Sequence, residues 1–224
     1  MLDAMLSSPL FGLTLSAAAW WAGCLLQKKV RMLPPLLTAA ALIIAVLVLF
    51  RIPYARYAAG GGFIKLMLLP VTAVLALNIY SQRAILKQHF LPVLAGCLAG
   101  SLTSVGSILL LCRVFRVDEA LAASLLPKSV TTAIAIGIAE SRGGLGGVAA
   151  AAVMAAGLTG AVFAPLFAKL FHVTDPVAEG LAIGACSHAL GTTRAMEIGQ
   201  IQGAMSSIAI CVCGILTSLL ALFL

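Results

Sequence analysis

Two short polar stretches interrupt apolar segments of the sequence, and their residues are of types that bind small anions. The first stretch places Lys128, Ser129, Thr131 and Thr132 directly after Pro127, in a segment that is otherwise apolar enough to cross a bilayer. A lysine at the centre of a membrane helix costs about 2.5 to 3.5 kcal/mol on insertion scales, so such a residue indicates a functional site. We therefore predict that these four polar residues bind a substrate.

Pro127 predicts a break in the same helix. Proline lacks a backbone N–H, and the half-helix that follows a break would present free amides and the positive end of its dipole to an anion. Two structural alternatives stay open. Pro127 could give a simple kink, as prolines in membrane helices often do, and the Lys128 side chain could snorkel to an interface.

The second polar stretch lies within residues 184–197 and resembles the first in character. It carries hydroxyl, imidazole, guanidinium and carboxylate groups where a plain membrane anchor would have leucine: Ser187, His188, Thr192, Thr193, Arg194 and Glu197. Gly191 predicts a second helix break here. We expect Lys128 and Arg194 to neutralise a carboxylate and the hydroxyls to bond its oxygens. His188 and Glu197 are candidates for carrying a coupled proton, since imidazole titrates near neutral pH.

Two alternatives compete with this interpretation. Arg194 and Glu197 stand three residues apart, so they could pair with each other near a membrane surface and leave Lys128 as the free cation. His188 could be a histidine satisfied by a neighbouring helix. The six cysteines all lie in apolar segments without metal-binding spacing, and they are interpreted as packing residues. The sequence predicts no metal site, no cofactor and no enzymatic activity.

The amino-acid composition is that of an integral membrane protein. Of the 224 residues, 62% are hydrophobic and only 9% are charged, which is too little polar surface to cover a soluble protein of this size. The apolar runs have the length of helices, so the fold class predicted is an all-α integral membrane protein. The net charge of +7 comes from Lys and Arg scattered between apolar segments, a pattern that argues against a nucleic-acid partner and favours contact with lipid headgroups.

At about 20 apolar residues per crossing, the sequence predicts eight transmembrane helices. They lie near residues 8–26, 34–50, 63–81, 90–112, 120–139, 145–170, 177–199 and 204–223. The connections are too short for a separate domain, so residues 1–224 are expected to form one polytopic domain, with residues 1–57 as peripheral helices and 58–224 as the core. The excess of Lys and Arg between the first two helices predicts that this loop is cytoplasmic and that both termini lie outside.

An internal repeat is a further prediction. Residues 68–79 align with residues 125–136 at an offset of 57, and both begin with Leu-Leu-Pro, so Pro70 predicts a break equivalent to Pro127. Transporters are often built from repeats whose interrupted helices meet near the bilayer midplane, and we expect the broken helices to meet there. The run Gly60-Gly61-Gly62 is interpreted as a flexible start of the third helix rather than a phosphate-binding loop.

The chain resembles the LrgB/CidB family of bacterial inner-membrane proteins, which includes the plastid glycolate/glycerate translocator of plants. The resemblance runs from about residue 68 to 224. It is strongest in Pro127-Lys128-Ser129-Val130-Thr131-Thr132, in Asp175-Pro176-Val177-Ala178 and in residues 185–197. The family usually has proline after the paired threonines, where this chain has Ala133. The resemblance implies a multi-pass protein of the bacterial inner membrane.

The resemblance implies two functions. Bacterial members are described as antiholin-like regulators of murein hydrolase export and autolysis, with a small LrgA/CidA-type membrane protein as partner. Other members are carriers of small monocarboxylates such as glycolate, glycerate or pyruvate. A carrier needs a few converging cations and hydroxyls, which this sequence has, so we expect a secondary transporter of small organic anions, in a homodimer, with proton coupling through His188 as an option. The holin-like alternative stays open.

Overall fold

The structure is a computed structural model that describes residues 8–29, 35–67, 70, 73, 77, 80, 81 and 83–224. Helices joined by short turns make up this part of the chain, and it contains no strand, which confirms the all-α prediction there. The chain divides into two compact units, Met1–Pro70 and Val71–Leu224.

The described part of the first unit includes the helices α1 (Pro9–Lys29), α2 (Pro35–Leu49) and α3 (Tyr54–Leu66). Gly60 lies inside α3 and is buried against α1, so the interpretation of the glycine run as a flexible helix start is wrong. A Cβ atom added to Gly60 would lie 2.7 Å from the Cα atom of Gly12. The missing side chains therefore allow α1 and α3 to pack backbone to backbone.

The residues on either side of the boundary between the two units, 68–82, are described only in part. Pro70 is helical, but residues 68, 69, 71 and 72 around it lie outside the described part of the chain. The break predicted at Pro70 and the repeat predicted for residues 68–79 therefore stay predictions. The helices that follow are α4 (Arg83–Gln88), α5 (Phe90–Val114), α6 (Glu119–Leu125), α7 (Thr132–Ser141), α8 (Gly146–Leu170), α9 (Pro176–Ile198) and α10 (Gln200–Leu222).

Four of the described helices are long and apolar enough to cross a membrane, namely α1, α5, α8 and α10. This finding supports an integral membrane protein with several crossings. The prediction of eight crossings is not confirmed, because the remaining described helices are shorter or less apolar.

Helix α9 reverses direction at His188, whose backbone angles are φ 39° and ψ −134°. A Cβ atom added to Gly191 would lie 3.2 Å from the carbonyl oxygen of Ile183, although eight residues of straight helix would separate them by about 12 Å. Residues 176–187 and 189–198 are thus two antiparallel arms, which we call hairpin 2. The crossing predicted at 177–199 and the break predicted at Gly191 are both replaced by this reversal. Gly191 is helical, and because it has no side chain the two arms can approach each other closely.

Helices α6 and α7 form a second reversal, which we call hairpin 1 (residues 119–141). Residues 126–131 between them, including Pro127, are not helical. The amide of Leu145, just beyond α7, donates a 2.7 Å hydrogen bond to the hydroxyl of Ser124 in α6. In a continuous rod these residues would lie about 30 Å apart, so the chain has turned back.

The two hairpins belong to a structural repeat. Each follows a helix of 25 residues, α5 or α8, and hairpin 2 has the same length as hairpin 1, 23 residues. Each 25-residue helix is followed directly by Phe-x-Val, with a positive φ at the middle residue, Arg116 (51°) or His172 (52°). An N-cap aspartate then opens each hairpin, Asp118 or Asp175, and its carboxylate accepts hydrogen bonds from two amides of the next turn.

The two repeats are inverted. Helix α5 runs parallel to the first arm of hairpin 2, because His89 and Asp175 lie beside one cavity while Gly100 lies beside Ala185 further along. Helix α8 runs antiparallel to the same arm, because Gly160 lies against Ser187 near the end of the arm, while Phe171 and Glu179, near its start, line one cavity. Helices α5 and α8 are therefore antiparallel, and the hairpins that follow them enter the bundle from opposite ends.

Candidate functional site

Lys128 lies in the turn of hairpin 1 and is half-buried. Its Nζ atom lies 3.4 Å from the hydroxyl of Ser129 and 3.4 Å from the hydroxyl of Ser104 on α5, and these two hydroxyls are 2.6 Å apart. An ammonium group has three N–H donors, and bonds of 3.4 Å are long for a charged donor. Among the described residues no carboxylate forms an ion pair with Lys128. The positive charge is therefore held by neutral groups.

The start of α7 adds donors next to this cation. Thr131 is the N-cap residue of α7 but its side chain makes no capping hydrogen bond, and its buried hydroxyl has no partner in the described part of the chain. The first amides of a helix have no acceptor within the helix, and the helix dipole places partial positive charge there. Lys128, Ser129, Ser104 and Thr131 with these amides form a set of groups suited to an anion, which we call the Lys128 site.

The turns of the two hairpins lie close together. Cys186, in the first arm of hairpin 2, is near enough to Lys128 for an electrostatic interaction. Val153 of α8 connects the two turns: its side chain packs in one cluster with Val130 of hairpin 1, and its carbonyl oxygen lies 2.8 Å from Nε2 of His188. The sequence predicts that the two polar stretches meet. In the structure Val130 of the first stretch and His188 of the second both contact Val153. Their depth in the bilayer stays a prediction.

The hydroxyls of the second polar stretch are divided between packing and the surface. Thr192 is buried, and its hydroxyl donates to the carbonyl of His188 and bonds to the hydroxyl of Ser206 on α10. Ser187 is 1% exposed and lies against Gly160. Thr193 is exposed, and its hydroxyl donates to a carbonyl of its own helix. Thr132, which belongs to the first polar stretch, is exposed at the start of α7. None of these four residues is a hydrogen-bond partner of the Lys128 ammonium group in the described part of the chain.

Arg194 and Glu197 form an ion pair with an N···O distance of 2.6 Å, and their side chains are 45% and 60% exposed. Arg194 also lies beside Lys169, His172 and Glu179, at the end of the bundle where hairpin 2 begins. The structure therefore shows the pairing that the sequence left as an alternative. It does not bring Arg194 to Lys128.

Ser104 is the residue of the Lys128 site that the sequence interpretation missed. It follows Gly96 and Gly100 at four-residue spacing on α5, and that spacing places all three on one helix face. The small residues on this face were a signal for close helix packing. The hydroxyl at the end of the series was the signal that this helix face also presents a polar group.

Two cavities lie along the first arm of hairpin 2. One, of about 460 Å³, lies between α5 and the first arm of hairpin 2 and extends from His89 and Asp175 to Cys186. The other, of about 240 Å³, lies between α8 and the same arm and is lined by Ser187, Cys186 and mainly apolar residues. Because Ala182 and Cys186 line both cavities, only this arm separates them.

Comparison with known proteins gives a consistent family. The LrgB-like family profile matches residues 16–224. The chain is 38% identical over 215 residues to the antiholin-like protein LrgB of Bacillus subtilis (strain 168), covering 95% of this chain and 93% of that protein. It is 38% identical over 206 residues to the protein YxaC of the same strain, covering 91% and 90%.

A third relative is the antiholin-like protein LrgB of Bacillus cereus (strain B4264), which is 35% identical over 213 residues and covers 94% of this chain and 93% of that protein. No solved structure matches the chain. The profile match spans most of the sequence and includes both hairpins and the Lys128 site. The chain therefore belongs to the LrgB-like family.

Proposed function

We propose that this protein is a secondary transporter of small organic anions, of the glycolate, glycerate or pyruvate type, in a bacterial inner membrane. The observation that carries the proposal is Lys128, a half-buried cation that has two hydroxyls at 3.4 Å as its nearest polar partners and no carboxylate partner in the described part of the chain. A cation held in this way retains binding capacity for an anion from outside the chain. A monocarboxylate supplies the one negative charge that is missing.

The groups around Lys128 support a small ligand with several oxygens. Ser104, Ser129 and Thr131 contribute hydroxyls, and the first amides of α7 contribute N–H donors. A carboxylate would accept from the ammonium group and the amides, while a hydroxyl or keto oxygen on the next carbon would bond to the serines. Such a site would favour a 2-hydroxy or 2-keto acid over a plain fatty acid.

The inverted repeat supports a carrier. Inverted repeats in transporters place the binding site where interrupted helices from the two halves meet, and motion of one half against the other exposes the site alternately. In this chain the turns of hairpin 1 and hairpin 2 approach each other around Lys128 and Val153. A protein that only anchors a partner would have no need for a half-buried cation there.

Regulation of autolysis is the second candidate function. It is favoured by the names of two of the relatives described above, the antiholin-like LrgB proteins of Bacillus subtilis and Bacillus cereus. In that case the chain would act on a lesion-forming membrane protein, and a small LrgA/CidA-type protein would be its partner. The two functions are compatible in one protein if the transported anion controls the partner.

Uptake of labelled pyruvate, glycolate and glycerate into proteoliposomes tests the transporter. We expect uptake that saturates with substrate and is competed by related monocarboxylates. Lys128→Ala should abolish uptake, whereas Lys28→Ala, at an exposed helix end, should leave it unchanged. Equal effects of the two substitutions, or leakage of an uncharged sugar in proportion to its concentration, would reject the transporter in favour of the holin-like function. The same preparation serves to measure two further properties. One is whether a small LrgA/CidA-type protein binds the chain, and the other is whether the chain forms a homodimer.

A further inference from the structure

The cavity between α5 and hairpin 2 extends from one end of the bundle to Gly100 of α5, one helical turn before Ser104 of the Lys128 site. At its outer end lie His89, before the first turn of α5, and Asp175, the N-cap of α9. At its inner end lie Gly100 of α5 and Cys186 of hairpin 2, and Cys186 is within range of the charge on Lys128. The negative charge of Asp175 is partly balanced by hydrogen bonds from two amides and by the start of the helix dipole, so it is a weak barrier to an anion.

The walls of this cavity are made of small side chains. Pro92, Gly96 and Gly100 line it from α5, and Ala178, Ala182 and Ala185 line it from hairpin 2. A Cβ atom added to Gly96 would be 3.8 Å from Leu181, which is an ordinary contact, so a methyl group is tolerated there and a larger side chain would fill the space. Ser104 continues the same face of α5 beyond Gly100 and contacts Lys128. The face thus changes from apolar to polar where the cation lies.

The other end of the bundle is closed by an apolar cluster. Val105, Ile108 and Cys112 in the second half of α5 pack with Leu126 and Ile138 of hairpin 1 and with Ala221 near the end of α10. All six residues are buried. A charged solute cannot pass such a cluster without separation of the helices, because an anion would lose its hydration with no compensating partner.

We propose that the cavity between α5 and hairpin 2 is the path by which the anion reaches Lys128, and that the Val105–Leu126–Ala221 cluster is the barrier on the opposite side. This inference rests on the proposed transport function and adds to it the route and the side from which the site is open in this structure. Transport then requires that the cluster separate while the cavity closes, with hairpin 2 moving toward α5.

Cys186 offers a probe placed at the inner end of the path. It is the exposed cysteine of the second unit, while Cys97, Cys112, Cys211 and Cys213 are buried. The test uses a variant that retains Cys186 and has the other five cysteines replaced by alanine or serine. Sealed right-side-out and inside-out membrane vesicles are prepared from cells that express it. The vesicles are treated with the anionic, membrane-impermeant reagent 2-sulfonatoethyl methanethiosulfonate. A matched variant retains Cys112 in the barrier cluster instead.

We expect Cys186 to react from one side only, and pyruvate at saturating concentration to slow the reaction. Lys128→Ala should lower the rate of the anionic reagent relative to a cationic reagent of the same size by about tenfold, because the positive potential at the inner end is lost. The ratio of the two rates cancels any change in the reactivity of the thiol itself. Gly96→Leu should slow both reagents. Gly106→Leu on the same helix, where an added Cβ atom meets nothing within 4 Å, should slow neither. The matched Cys112 variant should not react from the side that reaches Cys186.

The results separate the route from the transport function. The route would be overturned if Cys186 reacts from both sides, or if Gly96→Leu and Gly106→Leu have equal effects. If uptake is at the same time saturable and depends on Lys128, the proposed transport function is retained. One-sided reaction of Cys186 that Gly96→Leu slows, without any uptake or protection by pyruvate, would support the path as a cavity and reject the transporter. Faster reaction of Cys112 than of Cys186 would overturn the assignment of the barrier.

Discussion

His188 of hairpin 2 and Val153 of α8 are joined by a hydrogen bond of 2.8 Å between imidazole Nε2 and the backbone carbonyl. Since a carbonyl only accepts, Nε2 carries the proton. The bond holds the ring of a residue whose φ of 39° lies in a region that side-chain-bearing residues seldom adopt, at a cost of about 1 to 3 kcal/mol. The hydrogen bond and the burial of His188 therefore stabilise the turn of hairpin 2.

The pH response of uptake tests whether His188 also moves protons. His188→Gln keeps an N–H donor for the Val153 carbonyl but removes the group that titrates near neutral pH. We expect binding of the anion to survive and uptake to lose its stimulation by an inward proton gradient. Measurement of uptake at several imposed pH gradients, for wild type and variant, gives the result. An unchanged response would mean that His188 has only the structural role of holding the turn.

The contact between α8 and hairpin 2 should be sensitive to a single methyl group. A Cβ atom added to Gly157 would lie 2.5 Å from Cε1 of His188, and one added to Gly160 would collide with the side chain of Ser187. Because overpacking of this kind costs about 1 to 3 kcal/mol, Gly157→Ala and Gly160→Ala should lower the melting temperature in detergent. Substrate uptake should fall with it, as the turn of hairpin 2 is displaced.

Gly147→Ala provides the control for this pair on the same helix. An added Cβ atom meets nothing within 4 Å at Gly147. Replacement of glycine by alanine inside a helix is otherwise favourable by up to about 1 kcal/mol, so Gly147→Ala should keep or raise the melting temperature. A loss of stability at all three positions would show that α8 requires glycine for reasons other than contact with hairpin 2.

A buried serine should contribute to the stability of hairpin 1. Ser124 is fully buried, its hydroxyl donates to the carbonyl of Ala120, and it accepts from the amide of Leu145. Ser124→Ala leaves that amide without its acceptor, so we expect a loss of about 1 to 3 kcal/mol in the free energy of unfolding, measured by denaturation in detergent. Ser107→Ala on α5, where the exposed hydroxyl bonds only within its own helix, should change the stability by less than about 0.5 kcal/mol.

The helical membrane class could be predicted from the sequence because it depends on composition and on the length of apolar runs. The non-helical segment around Pro127 also has a local cause, since proline and the polar residues after it are all within six positions. The reversal of α9 has no such cause. Neither proline nor glycine stands at position 188, and the turn depends on Gly191, Gly157 and Gly160 allowing backbones from different helices to approach.

The composition of the Lys128 site was predictable in part for the same reason. Lys128, Ser129 and Thr131 are neighbours in sequence, but Ser104 lies 24 positions before Lys128 and joins the site only through the packing of α5. Arg194 shows the opposite effect. A continuous crossing at 177–199 would have carried it deep into the protein, whereas the reversal at His188 returns it to the end of the bundle where α9 begins.

The different positions of Lys128 and Arg194 lead to a last prediction, about which cation binds the substrate. Arg194 is 45% exposed and already pairs with Glu197, and an exposed ion pair contributes about 0 to 1 kcal/mol to stability. Arg194→Gln should therefore leave the KM for pyruvate within about twofold of wild type and cost little stability. Lys128→Gln should raise the KM strongly or abolish uptake, because it removes the charge that the carboxylate meets. Both variants are measured in the same proteoliposome assay, together with Glu197→Gln, which would leave Arg194 unpaired. A large rise in KM for Arg194→Gln that Glu197→Gln does not share would place the guanidinium in the substrate site, in a conformation different from the one described here.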